Sequence, residues 1–177
     1  MTHEPLDETA LLALFDRLGL RWRLQRHPAF HTVEEAKAGR IDLPGIHTKN
    51  MFLKGKDGTL ALVTCGEDRR IRIRDLEKAL GLKKMSFGKA DLLWEVLGVR
   101  PGAVTPFALV NDTGRRVCLI LDAQMMEADA INAHPLHNEA TVAMSPGDML
   151  RVFEETGHDP LLVDFDALEA QAAARAA

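Results

Sequence analysis

Asn50-Met51-Phe52-Leu53-Lys54 is separated from Thr59-Leu60-Ala61-Leu62-Val63-Thr64 by Gly55-Lys56-Asp57-Gly58. Two β-prone apolar runs joined by a short bend carrying Asp-Gly read as an antiparallel hairpin, whose apolar residues must be covered by the rest of the chain. The covering material is visible on both sides. Upstream, Asp7 or Thr9 caps a helix to about Leu18, because Leu11, Leu12, Leu14, Phe15 and Leu18 recur at helical spacing and Gly19 follows as a stop. Arg21 to Arg26 alternates polar with apolar, a half-exposed strand ending at His27-Pro28. Thr32-Val33-Glu34-Glu35 has the capping-box pattern and opens a short helix to about Lys37. Downstream, Ile71 to Leu80 and Lys89 to Leu97 are helical by spacing, each followed by a glycine. Pro106 to Val110 and Arg116 to Leu121 predict a second hairpin around Asn111-Asp112-Thr113-Gly114. Ala140 to Met144 reads as a strand, Ser145-Pro146-Gly147-Asp148 as a helix start, and Leu161 to Phe165 as a final strand. Hairpins interspersed with helices imply an α+β domain rather than a doubly wound parallel sheet.

With 177 residues, 46% of them hydrophobic, the chain can bury one sizeable core, and no repeat or linker divides it. Residues 1–166 read as that domain. The tail from Ala167 to Ala177 is Ala-rich, has no apolar stripe of its own and is expected to fray. Lys and Arg number 22 against 26 Asp and Glu, a formal charge of -4. Binding of nucleic acid by bulk positive charge is thereby excluded, though a local basic patch is not. Cys65 and Cys118 each sit in an apolar run without CxxC spacing, so neither a disulfide scaffold nor a zinc knuckle is expected, and a reducing cytoplasm fits best. The acidic N-terminus is unlike a signal peptide, and no apolar run approaches the ~18 residues a membrane span needs.

Common catalytic signatures are missing: there is no GxGxxG after a strand, no GxxxxGK[ST], no HExxH and no GxSxG. His134-x-x-His137 has the look of a ligand pair, but Pro135 breaks a regular helix there and no partner lies at zinc-site spacing, so no metal is expected. Three segments stand out. In His47-Thr48-Lys49-Asn50, Lys49 is either a solvated strand-end lysine or a point charge for a phosphate, and Asn50 can donate or accept hydrogen bonds. Gly98 to Pro106 is a Gly/Pro-dense connection, either a turn or a loop offering backbone N–H groups to a carbonyl or a water. Asn132 to Asn138 gathers polar groups between a helix and a strand, as a site wall or as a plain loop.

Read together, Thr48-Lys49-Asn50-Met51-Phe52-Leu53-Lys54, the GxxxP element Gly102 to Pro106, Asn111-Asp112-Thr113, and His134-Pro135-Leu136 followed by Ala140-Thr141 resemble the YbaK/prolyl-tRNA-synthetase editing-domain superfamily. Within it the free-standing ProXp-ala (PrdX) branch is the most similar, and the resemblance spans about Glu8 to Asp164, His27-Pro28 included. It implies a mixed, largely antiparallel, barrel-like sheet flanked by helices, and a trans-editing hydrolase that removes alanine mischarged onto proline tRNA without cofactor, metal or protein nucleophile. Lys49, Gly102 and His134 are the catalytic candidates on that reading. Gly102 would position the ester carbonyl or the water, Lys49 would hold the terminal adenosine phosphates or act as general base, and His134 with Asn50 would orient the aminoacyl end. Thr105 and Pro106 join Asn50 as substrate-binding candidates. The expected partners are the tRNA(Pro) acceptor end and the prolyl-tRNA synthetase. A deacylase for another mischarged tRNA and a non-catalytic tRNA-binding module remain open.

Two further expectations concern the surface. Arg69 to Arg74 with Lys83-Lys84 forms a basic patch, with Arg70, Lys83 and Lys84 as tRNA contacts, or an ordinary solvated face. Ala38 to His47 has two glycines flanking an apolar pair, the composition of a hinged flap or of an ordered connector.

Overall fold

A computed structural model describes residues 4–30, 32–39 and 41–176. Helix α1 (Glu8–Arg17) starts where the Asp7 carboxylate accepts from the Ala10 N–H at 2.9 Å, and it buries Leu11 and Phe15. Strand β1 (Trp22–Arg26) follows, then α2 (Val33–Ala38), whose Thr32 cap accepts from Glu35 N–H at 3.1 Å. The expected hairpin is present as β2 (Ile46–Lys54) and β3 (Leu60–Gly66), paired antiparallel from Thr48↔Gly66 to Lys54↔Leu60. Gly58, at φ +91, makes its bend possible. The chain continues through α3 (Ile73–Leu80), β4 (Ser86–Phe87), α4 (Ala90–Leu97), β5 (Val117–Asp122), β6 (Ile131–Ala133), β7 (Ala140–Met144), α5 (Pro146–Thr156), β8 (Leu161–Val163) and α6 (Phe165–Ala176). Helices α3 and α4 end at the left-handed glycines Gly81 and Gly98.

Three expectations are corrected. Pro106 to Val110 is no strand: residues Pro106–Asn111 form a 3-10 turn, with Pro at the first position and the Thr105 hydroxyl accepting from Phe107 N–H. Pro106, Phe107, Ala108 and Leu109 are all buried, and a run buried on every side carries no period that separates strand from helix. The second hairpin is therefore absent, and β5 instead pairs in parallel with β3 and β8. Asn132 lies within β6, after a short 3-10 turn at Met125–Glu127, rather than in a loop after a helix. The tail is also ordered: α6 runs from Phe165 across the expected boundary at residue 166, with Leu168 packed against the core.

The sheet is mixed, in the order β1-β7-β6-β2-β3-β5-β8 with β4 on the side of β2. Its β2–β3, β2–β4, β1–β7 and β6–β7 pairs are antiparallel; β2–β6, β3–β5 and β5–β8 are parallel. Two cores follow from strand alternation. Phe52, Leu60 and Leu62 join Phe15, Phe107 and Phe153 in the larger one, while Leu53, Ala61 and Val63 join Leu76 and Phe165 in the smaller. Among the described residues no helix is long and apolar enough to cross a membrane.

Candidate functional site

Lys49 and Asn50 are neighbours in β2, so their side chains leave opposite faces of the strand. Asn50 faces the loop before the 3-10 turn. Its Nδ2 donates to the Val104 carbonyl at 2.9 Å, and its Oδ1 accepts from the Thr64 hydroxyl at 2.7 Å. Asn50 thus ties the Gly102 to Pro106 loop to β2 and β3. Within that loop Ala103 N–H closes on the Arg100 carbonyl at 3.0 Å, and Gly102 is exposed at φ +87. Thr105 and Pro106 are buried and serve the turn.

His134 stands beyond this loop. A Cβ built on Gly102 would lie 3.7 Å from the Asn138 amide nitrogen, and that nitrogen lies 3.5 Å from the Phe30 carbonyl. Phe30 stacks on His27 at 4.9 Å between ring centroids, and His27 lies 6.1 Å from His134. A chain of contacts through Asn138, Phe30 and His27 therefore links the Gly102 loop to His134. The Nδ1 of His134 is 2.9 Å from the Ala140 carbonyl. A carbonyl only accepts, so Nδ1 carries the proton and Nε2 keeps its lone pair. Burial lowers the His134 pKa, the Ala140 carbonyl opposes that shift, and His27, His137 and His47 add to the lowering. His134 is neutral at neutral pH as a result. His27 is spent on its neighbours, with Nδ1 2.8 Å from the Pro28 carbonyl and Nε2 2.9 Å from the Thr141 hydroxyl. His137 Nε2 contacts the Glu8 carboxylate, so His134 and His137 face different partners.

Lys49 lies on the other side of β2. Its ammonium donates to the Arg69 carbonyl, and it lines a cavity of about 500 Å³ with Arg70, Arg72, Asp75, Phe165 and Glu169. Arg70 also borders an adjoining cavity of about 820 Å³ beside His47. The basic patch expected as one is divided: Lys83 and Lys84 border a different cavity, with Lys56 and Glu77, beyond the eight residues of α3, ~12 Å of helix. Arg69 is consumed by Asp122, Asp166 and Gln124. The stretch from Ala38 to His47 is tied down at 42, 44 and 46: Asp42 N–H donates to the Gln25 side chain at 2.8 Å, Asn132 Nδ2 to the Pro44 carbonyl at 2.9 Å, and Ile46 N–H to the Ala130 carbonyl at 2.9 Å. Arg40, within that stretch, lies outside the described residues.

Sequence reasoning missed Phe30, and it read Arg69 as part of a tRNA-binding patch rather than as the centre of an ion-pair cluster. Phe30 follows His27-Pro28 by two residues, and an aromatic so close to a strand-ending His-Pro was the available signal. Neither cysteine offers a nucleophile: burial pushes the Cys65 thiol up to about 11 and raises that of Cys118.

A neutral histidine linked to an exposed glycine loop and amide side chains, with an inert thiol and separate cations behind the strand, is a polar arrangement on an α+β domain rather than a nucleophile–base pair. A family model described as the aminoacyl-tRNA editing domain matches residues 27–152, and the chain belongs to that family. It is 39% identical over 152 residues to "Prolyl-tRNA synthetase associated domain-containing protein 1" of Danio rerio, covering 85% of this chain and 83% of that one. It is 30% identical to "Prolyl-tRNA editing protein ProX" of Acetoanaerobium sticklandii, covering 84% and 92%. Among solved structures, the hypothetical protein APE2540 superposes with a TM-score of 0.67 at 22% identity, over 86% of this chain and 97% of that one. A candidate trans-editing enzyme for prolyl tRNA synthetase does so with a TM-score of 0.66 at 17% identity, over 88% and 93%. These two structural likenesses speak to the fold alone.

Proposed function

We propose that the protein is a trans-editing deacylase that hydrolyses the ester of alanine mischarged onto proline tRNA, in the cytoplasm and with prolyl-tRNA synthetase as a partner. The observation that carries the reading is the neutral His134, fixed through Nδ1 on the Ala140 carbonyl and linked to the exposed Gly102 through His27, Phe30 and Asn138. A neutral acceptor there suits the amino group of an aminoacyl ester. Water attacks the ester carbonyl, the loop backbone at Gly102 steadies the oxygen that gains charge, and the terminal ribose oxygen leaves with a proton. Free alanine and intact tRNA result. No side chain becomes acylated, in keeping with the raised Cys65 pKa.

Lys49 and Arg70, which share one cavity on the other face of β2 from the Gly102 loop, hold phosphates of the acceptor end as it passes the strand. Thr105 and Pro106 fix the loop, and Asn50 acts on the aminoacyl end by anchoring Val104. The need for a second sieve is physical, since a synthetase pocket built for proline discriminates against a smaller side chain by only ~1–3 kcal/mol per methylene. The names of the relatives, one associated with prolyl-tRNA synthetase and one with prolyl-tRNA editing, support the choice of tRNA.

The test is single-turnover hydrolysis of Ala-, Cys-, Ser- and Pro-charged proline tRNA by the purified protein. Fast loss of the alanyl ester with the prolyl ester spared is the expected result. A preference for the cysteinyl or seryl ester would move the specificity, and binding without turnover would reduce the protein to a tRNA-binding module.

A further inference from the structure

The loop after β3 is held by a charged cluster that the proposed reaction does not use. Arg69 donates from Nε to Asp122 Oδ2 at 3.1 Å, from Nη1 to Asp166 and from Nη2 to the Gln124 side chain, and Gln124 in turn donates to Asp166. One planar guanidinium therefore joins the β3–α3 loop to the end of β5 and to the first turn of α6. The side chain of Arg69 is 16% exposed and that of Asp122 only 3%, so this half of the cluster is buried. The backbone carbonyl of the same residue accepts from the Lys49 ammonium. Fixing the guanidinium fixes the peptide that holds Lys49. Helix α6 also supplies Phe165, Leu168 and Glu169 to the wall of the Lys49 cavity, although it lies beyond the 27–152 stretch that matches the editing family.

We infer that Arg69 and Asp166 are positioning residues for the Lys49 ammonium, and that α6 thereby completes the Lys49 site. The inference rests on the proposed role of Lys49 in holding the tRNA end. Asp166 is the position to perturb. Its side chain is 53% exposed, so its removal leaves the buried Arg69–Asp122 pair intact and strands no buried charge.

The experiment compares wild type, Asp166→Ala and Asp166→Glu in two readouts. The first is trace acetylation of Lys49 by acetic anhydride, measured by peptide mass spectrometry against exposed Lys56 in the same sample. It reports how the amine is held whether or not the protein deacylates anything. Asp166→Ala is expected to raise Lys49 acetylation by about threefold or more, as a local opening would, and Asp166→Glu to restore the wild-type value. The second is kcat/KM for alanyl-tRNA(Pro), expected to fall about fivefold in Asp166→Ala, mainly through KM, and not to fall further when Asp166→Ala is added to Lys49→Ala. Unchanged Lys49 acetylation in a folded Asp166→Ala variant overturns the inference. Losses that add in the Lys49→Ala background overturn it too, because they mean that Asp166 acts on structure elsewhere. Altered acetylation with no deacylation by any variant, wild type included, leaves the positioning in place and refutes the deacylase reading instead.

Discussion

Replacing Asn50 by alanine separates two roles that one side chain could play. Both ends of the Asn50 amide are engaged by protein, the nitrogen giving a hydrogen bond to Val104 and the oxygen receiving one from Thr64. Thr64 is fully buried, so the truncated variant leaves a hydroxyl with no acceptor and a loop carbonyl with no donor. Two net hydrogen bonds at ~0.5–1.5 kcal/mol each, with an added cost for the stranded hydroxyl, give a destabilisation of about 2–3 kcal/mol. For a chain of 177 residues that is a fall in Tm of roughly 5–10 °C, also readable as a lower urea midpoint at unchanged m. Deacylation should fall at least tenfold, about 1.4 kcal/mol in the barrier, because the Gly102 loop loses its tether. Thermal and urea unfolding followed by circular dichroism give the first number, and single-turnover deacylation of alanyl-tRNA(Pro) gives the second. A variant with full stability and lost activity would refute the tether argument and return Asn50 to direct contact with the substrate.

Four other outcomes follow from the geometry. Lys49→Ala should lower deacylation by about tenfold or more with the fold retained, measured as kcat/KM beside an unfolding curve. Neutralising Arg70 should weaken tRNA binding and reduce its salt slope, and neutralising Lys83 with Lys84 should do so independently, because the two sets lie at opposite ends of α3; binding titrations at several salt concentrations check this. The folded His134 pKa is depressed, so the unfolded chain takes up its proton first as pH falls: the contribution of this residue to stability is full above about 6.5 and is lost below it, and urea titrations between pH 7.5 and pH 5 should show a slope that His134→Gln reduces. Gly45→Ala should destabilise by ~1–3 kcal/mol, because φ is +101 there and the added Cβ would lie 2.1 Å from the Ala130 carbonyl oxygen; differential scanning calorimetry reads the shift.

The parts of the fold legible in the sequence are those set by local chemistry. The Asn50 to Thr64 hairpin is specified by its bend, α1 by its Asp7 cap, and α3 and α4 by the glycines that end them. What escaped is non-local or uniformly buried. The parallel partners of β5 are reached by long crossovers, and no turn signal in the sequence announces them. The 3-10 turn at Pro106–Asn111 offered only an apolar run, which a strand would have matched as well.

The site divides along the same line. The segments carrying Lys49, Gly102 and His134 were all visible as local anomalies, whereas the Arg69 cluster joins positions 53 and 97 residues apart and has no local signature. Lys49 and Asn50 show how adjacency in sequence misleads. Two polar residues side by side in an apolar strand suggest one binding point, yet the two-residue period of a strand sends them to opposite faces. Asn50 is locked into the loop that presents Gly102, and Lys49 into the peptide that Arg69 anchors. If a tRNA end uses both, it meets Lys49 directly and feels Asn50 only through Val104. The two substitutions should then differ in kind: Lys49→Ala should act chiefly on KM with stability unchanged, and Asn50→Ala on kcat together with stability.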